Sequence, residues 1–345
     1  RPELAVLLSY AKVMLKNAFD EENIAAEPYL QKSVERAFPQ RLCKDFPDRI
    51  ERHRLMRQIV ATQVANSVIN DLGITAAYRL QSASGSSLKD IALAFVIARD
   101  IFRLDAFRDY LAGLDNQLPA AAQMDLLISM ERRVRRGTRW FLTRRRLGLA
   151  ALPEEEVIYF RLAIQEINLT VESALTGAAR ETWQTRAKQL REMGLSDEWV
   201  AQLAMPDNLF SGLCVVEVAR VCGVSVLDAA RVFYALHEKL RLDDFASRLS
   251  AVPVETHWQA VARESFLDDL EAQLRLIITA MLRTHAADQA AEGLDQWLSG
   301  KANWLSRWLQ MVHEVQSGGR DDFALFSVAI RELMELAQVG WNVRV

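Results

Sequence analysis

The sequence predicts an all-α protein, a multi-helix bundle or array with an internally duplicated helical unit and essentially no sheet. Apolar residues recur at spacings of three and four along most of the chain, the signature of one helix face turned to a core. Glycine and proline number only 14 and 8 in 345 residues, few for a fold built on hairpin turns. No segment shows sustained period-two alternation with β-branched enrichment, so strands are not expected.

The helices follow in order. Pro2 suits a first helical position, and Leu4, Leu7, Leu8 and Leu15 continue at helical spacing. Pro28, Pro39 and Pro47 punctuate the next stretch. From Asp48 to Asp71 a long amphipathic segment places Met56, Val60, Val64 and Val68 on one face, with Arg49, Arg52, Arg54 and Arg57 at its wetter end, and Gly73 closes it. Ser87 and Asp90 form a capping pattern, after which Leu88, Ile91, Phe95, Ala98 and Phe102 alternate spacings of three and four.

A matching segment lies 138 residues later. Ser225 and Asp228 repeat the cap, and Val226, Ala229, Phe233, Leu236 and Leu240 repeat the spacing. Gly85 matches Gly223, Ala92 matches Ala230, Arg103-Leu104-Asp105 matches Arg241-Leu242-Asp243, Phe107 matches Phe245 and Leu111 matches Leu249. With the caps and Phe95, that makes ten identities across residues 85–111, where ordinary residue usage gives roughly two. They fall on caps and core positions, so a duplicated unit is expected. Both copies run on into long helices, Ala120–Phe141 and Glu255–Arg283. Three helices are expected between them, near 153–170, 172–193 and 197–205, ended by Gly194 and Pro206. Two more, 294–316 and 321–339, are parted by Ser317-Gly318-Gly319. The domains expected are 1–147 with the first copy, 148–205 as connecting helices, and 206–345 with the second copy.

Composition bounds the function. A net charge of −3 offers no global field for nucleic acid or an anionic membrane. Three cysteines without close pairing suit a reducing compartment, and apolar runs such as Leu276–Leu282 are too short to span a bilayer, which points to the cytoplasm and away from a membrane. A dinucleotide fingerprint needs Gly-x-Gly, and no two glycines here have a single residue between them. A P-loop needs Gly-Lys-Ser/Thr, and Gly300-Lys301 is followed by Ala302. The histidines, at 53, 237, 257, 285 and 313, are never at i, i+4, and Cys214 and Cys222 lack metal-ligand spacing, so no metal site is expected. No nucleophile elbow occurs, and the pairs Asp268-Asp269 and Asp321-Asp322 fit solvated helix faces better than acid/base chemistry. No catalytic or cofactor-binding residue is assigned.

Two clusters stand out. Arg132, Arg133, Arg135, Arg136, Arg139, Arg144, Arg145 and Arg146 crowd around Trp140 and Phe141, with Glu154-Glu155-Glu156 following shortly. Ion pairing within or between subunits is favoured, ahead of a small-anion or effector site, and nucleic acid comes last. Trp297, Trp304, Trp308, Met311 and Val315 are spaced for one helix face. Core packing is the favoured reading, and a docking stripe for another domain is the alternative.

The opening Arg1-Pro2-Glu3-Leu4-Ala5-Val6-Leu7-Leu8-Ser9-Tyr10-Ala11-Lys12 resembles a segment just after the catalytic region of the large bacterial NAD-specific glutamate dehydrogenases. The likeness continues through Phe46-Pro47, His53-Arg54, Ile59-Val60-Ala61-Thr62, Ala65-Asn66, Asn70 and Tyr78-Arg79-Leu80-Gln81. It takes in Leu114-Asp115-Asn116, Pro119 and Thr138-Arg139-Trp140, and resumes at Val216-Glu217-Val218-Ala219 and Phe233-Tyr234-Ala235-Leu236. The resemblance implies a parent enzyme that oxidises L-glutamate with NAD, giving 2-oxoglutarate and ammonia. This chain would be its helical C-terminal region, carrying no cofactor itself and partnered by the catalytic region of the same polypeptide in a homo-oligomer. A start at Arg1 without methionine suits such an excised region. An independent helical scaffold binding partner proteins through the tryptophan stripe is the alternative, and an anion or nucleic-acid binder using Arg132–Arg146 is a third.

Overall fold

The computed structural model describes residues 2–145, 153–205, 212–284, 290–317 and 323–341, without the side chains of 144, 145, 290–292 and 338–341. Arg146, Pro206, His285, Gly318, Gly319, Asp321 and Asp322 lie outside the described residues. Among the described residues every regular element is helical. The chain divides into two compact units, Arg1–Arg161 and Leu162–Val345; the division falls inside the helix α10 (Pro153–Ala174).

The first unit begins with α1 (Pro2–Glu21), then short helical turns that include α2 (Pro28–Gln31), α3 (Gln40–Asp45) and α4 (Pro47–Glu51). The longer α5 (Met56–Leu72), α6 (Ala76–Ser84), α7 (Leu88–Ile101), α8 (Leu104–Gly113) and α9 (Ala120–Arg145) follow. α1 lies against α5, and α7 against α9. The apolar stripe of α5 is the reason: Val60, Val64 and Val68 are fully buried, as are Ile91, Phe95 and Ala98 of α7 and Met130 and Val134 of α9. Burying each of the larger side chains contributes about 1.5–3 kcal/mol.

The amphipathic segment expected from Asp48 to Asp71 is two helices. His53 breaks it: its Nδ1 accepts the backbone N–H of Leu55 at 3.1 Å, and its own N–H donates to the Ile50 carbonyl at 3.1 Å. Local bonds of this kind compete with the helix ladder.

In the second unit, α11 (Gly177–Glu192) and α12 (Asp197–Leu203) lead to α13 (Gly212–Cys222), α14 (Val226–Lys239), α15 (Leu242–Ala251) and α16 (His257–Thr284). Then come α17 (Ala290–Ser299), α18 (Ala302–Ser317) and α19 (Phe323–Trp341), the last packed on α16. The helix expected over 294–316 is thus interrupted at Gly300-Lys301.

The two capped segments share local geometry position by position. Ser87 Oγ accepts the Asp90 N–H at 3.1 Å and donates to Asp90 Oδ2 at 2.7 Å. Ser225 and Asp228 repeat both bonds at the same distances. Each cap opens a 14-residue helix. Gly85 and Gly223 precede the caps at φ +64° and +67°, where a Cβ is disfavoured. Arg103 and Arg241 turn the chain at φ 57° and 51°, and a 10-residue helix follows each. Phe95 and Phe233, Leu104 and Leu242, and Phe107 and Phe245 are all fully buried. The neighbours correspond too: α6 pairs with α7 and α9, and α9 with α7 and α8, while α13 pairs with α14 and α16, and α16 with α14 and α15.

Candidate functional site

The described residues of the arginine cluster sit on α9 and differ in burial. Spacings of three and four put Arg132, Arg135, Arg136 and Arg139 on one face; Arg132, Arg135 and Arg136 are exposed and Arg139 is half-buried. Arg133 lies about 100° further round the helix than Arg132 and is 2% exposed. Arg135 donates through Nη2 to the Leu72 carbonyl, the last residue of α5, at 3.1 Å. Arg132, Arg133, Arg136 and Arg139 are each engaged by other groups of the protein. The side chains of Arg144 and Arg145, and Arg146 altogether, lie outside the described residues. Of the acids that follow in sequence, Glu154 pairs with Lys32 and Glu156 is buried. Trp140 packs edge-on against Phe141 and Phe160 at 4.9 and 5.5 Å between centroids. These rings fasten the end of α9 to α10 within the first unit.

Beside this lies an ionic network that sequence reading did not find. Arg108 on α8 donates through Nη2 to Asp71 Oδ1 at 2.8 Å and to Glu131 Oε1 at 2.9 Å, tying α8 to α5 and α9. Asp105, one turn earlier, accepts two bonds from Arg36, at 2.8 and 3.2 Å. Arg99 meets Asp100 at 2.9 Å and Asp105 at 3.5 Å, and the Tyr29 hydroxyl donates to Asp100 at 2.8 Å. The Asp71 side chain is 1% exposed, and its Oδ2 is buried without a hydrogen-bond partner.

Burial pushes the Asp71 carboxyl above the ordinary aspartate range, and the Arg108 bond offsets only part of that. Burial likewise raises Glu131. Burial, then the charge of Asp100, holds the Tyr29 hydroxyl well above the usual tyrosine range. A raised carboxyl is the hallmark of a general acid. Here, however, Asp71 is shut off from solvent, so no substrate atom can approach it. The network joins helices.

One sequence signal pointed to it. Asp71 falls three residues after Val68, in line with the buried stripe of α5, where a lone carboxylate requires a cation. Arg108 and Glu131 are too distant in sequence for spacing to name them. A second long-range device is Glu22, whose carboxylate accepts the Leu88 and Lys89 N–H groups at 3.3 and 2.7 Å, capping α7 from the end of α1.

The tryptophan stripe is split by the interruption at Gly300-Lys301, so Trp297 stands on α17 while Trp304 and Trp308 stand on α18. Trp308 is fully buried, donates through Nε1 to the Leu240 carbonyl at 2.8 Å, and lies against Phe245. Trp304 stacks on it with an interplanar angle of 8° and donates to the Glu332 carbonyl at 3.2 Å. Trp297 and Trp304 are half-buried. The indole of Trp308 caps the C-terminal end of α14 and belongs to the core of the second unit.

His237 is buried, its Nδ1 3.1 Å from Asp243 and its ring 4.4 Å from Phe233. No group of histidine, cysteine or carboxylate side chains suited to a metal ion occurs among the described residues. No helix among them is long and apolar enough to cross a membrane.

Comparison with known proteins gives this architecture a context. The family model described as "Glutamate dehydrogenase, C-terminal" matches residues 1–335. The chain is 36% identical over 339 residues to the NAD-specific glutamate dehydrogenase of Pseudomonas aeruginosa. It is 34% identical over 338 residues to that of Halomonas elongata and 23% identical over 340 residues to that of Mycobacterium tuberculosis. Each alignment takes in 98% of this chain and 21% of the relative. The chain therefore spans about a fifth of the length of the curated relatives it matches. By the family match along nearly its whole length, the chain belongs to the glutamate dehydrogenase C-terminal family.

Proposed function

We propose that this chain is the non-catalytic helical C-terminal region of an NAD-dependent glutamate dehydrogenase, supporting the assembly or regulation of the catalytic region to which it is joined. The parent reaction transfers hydride from the α-carbon of L-glutamate to NAD and hydrolyses the resulting imine, giving 2-oxoglutarate, ammonia and NADH. One observation carries the reading: almost all of this chain aligns with glutamate dehydrogenases, yet it accounts for 21% of their length. The structure is consistent with it. A nicotinamide crevice lies at the strand ends of a parallel sheet, and every regular element among the described residues is helical.

The 345 residues alone are expected to show no NAD-dependent oxidation of L-glutamate, while the polypeptide encoded by the complete reading frame shows it. Turnover by the chain alone, or a complete frame without a dinucleotide-binding domain, would overturn the proposal. A cytoplasmic homo-oligomer is part of the same reading, and light scattering of the complete polypeptide tests it. The matched caps, corners and helix lengths of residues 85–111 and 223–249 support a duplicated helical unit. An experimental structure in which the two segments fail to superpose would reject that ancestry.

A further inference from the structure

We infer that the outward face of α1, from Leu4 to Met14, is the surface on which the preceding region of the parent polypeptide docks in cis; this rests on the function proposed above. Leu4, Val6, Leu7, Tyr10, Val13 and Met14 are 60%, 68%, 54%, 63%, 56% and 44% exposed. At about 100° per residue these six trace one continuous arc of roughly 180°. Leu15 and Phe19, both fully buried, lie on the adjoining arc that begins about 20° beyond Leu4, the one that packs against α5.

A helix with a single packed face should turn polar residues to water on the other. In α1 the order is reversed: both faces are apolar, and between Pro2 and Met14 only Glu3 and Lys12 carry charge. Scattered apolar side chains are normal on a surface, whereas a contiguous row over three turns marks a contact. The first turns of α1 have no packed face of their own: residues 2–7 are exposed at every position.

The occupant is argued from the relatives. They are about five times as long as this chain, and the matching family is C-terminal, so most of their length precedes the matched segment. A preceding region is covalently continuous with α1. It meets this face at an effective concentration on the order of millimolar, which a second copy at micromolar concentration cannot match. The low charge of the row calls for an apolar groove on that region, filled by Leu7, Tyr10 and Met14 as anchors at i, i+3 and i+7.

The test is amide hydrogen exchange of α1 in two samples, the 345-residue chain alone and the complete polypeptide. The amides of residues 4–14 are expected to exchange rapidly in the chain alone at every concentration, and about 100-fold or more slower in the complete polypeptide. Leu7→Glu together with Tyr10→Glu should abolish that slowing. In the chain alone the same pair should leave the unfolding midpoint unchanged, because both side chains already face water. Rapid exchange of α1 in a complete polypeptide that oxidises glutamate normally would overturn the docking surface and leave the proposed function standing. Protection that appears in the chain alone and grows with its concentration would overturn it in favour of a second copy. A complete polypeptide inactive toward glutamate would strike at the proposed function, and the exchange contrast would still report on the surface.

Discussion

Replacing Arg108 by methionine removes the only cation among the described residues that bonds Asp71, and the cost follows from the geometry. The Asp71 side chain is 1% exposed and loses its 2.8 Å bond. A buried carboxylate stripped of its partner costs about 3–5 kcal/mol if it stays ionised. The alternative is to take up a proton, at about 1.4 kcal/mol for each pH unit by which the solution lies above the folded-state pKa. Burial already holds that pKa above the ordinary aspartate value in the intact protein, and loss of Arg108 raises it further.

The sign follows from linkage. A carboxyl whose pKa is higher folded than unfolded adds stability fully below the unfolded value, and that contribution is lost as pH rises through the folded value. Arg108→Met should therefore lose about 3–5 kcal/mol where Asp71 is ionised, and clearly less at pH 5 than at pH 8. Hydrogen exchange of α5 and α9 peptides at the two pH values reads the loss where it arises. The double variant with Asp71→Asn should regain most of it at pH 8, because no buried charge is left over. A loss under about 1 kcal/mol at both pH values, or one that does not vary between them, would refute the assignment of Asp71 as a sealed charge held by Arg108.

Three further outcomes are expected. Trp308→Phe leaves the buried Leu240 carbonyl without its donor and opens space beside Phe245, so chemical denaturation should show a loss of about 2–4 kcal/mol. Ser87→Ala and Ser225→Ala each remove one cap of the same geometry, and each should cost about 1 kcal/mol; clearly unequal losses would show that the caps are not equivalent. The Tyr29 hydroxyl, buried and bonded to Asp100, should stay protonated while ordinary tyrosines ionise near pH 10. Tyr29→Phe should then leave the amplitude of tyrosinate absorbance up to about pH 11 unchanged in the folded protein, and a smaller amplitude in the variant would show that Tyr29 titrates normally.

Where neighbouring residues decide the structure, the sequence was a sufficient guide. The serine caps, the stripe of Val60, Val64 and Val68, and the stops at Gly73 and Gly194 are local devices, and each is found where spacing placed it. It misled where a side chain overrides the backbone pattern. The bond from Leu55 to the His53 ring ends α4 within a run that contains neither glycine nor proline. A spacing of seven between Trp297 and Trp304 fits one helix, yet it equally fits two joined at Gly300-Lys301. Of the candidate interaction groups, the composition of the arginine cluster was visible, but its division between a buried Arg133 and an exposed row depends on what α9 packs against. The ties from Arg108 to Asp71 and Glu131 span 37 and 23 residues, a reach that periodicity cannot resolve. The apolar row on α1 looked like an ordinary core stripe, because spacing does not say which of two apolar faces finds a partner.

The corners at Arg103 and Arg241 bear on how the chain assembles. Each joins a capped helix to the one that follows, using only residues adjacent in sequence. Pairs of this kind close short loops and need no distant strand to arrive first, which places them among rapidly forming topologies. As the polypeptide leaves the ribosome from its amino end, α7 and α8 can meet long before α14 has been translated. Each half thus carries its own seed, and late synthesis of one leaves the other free to settle.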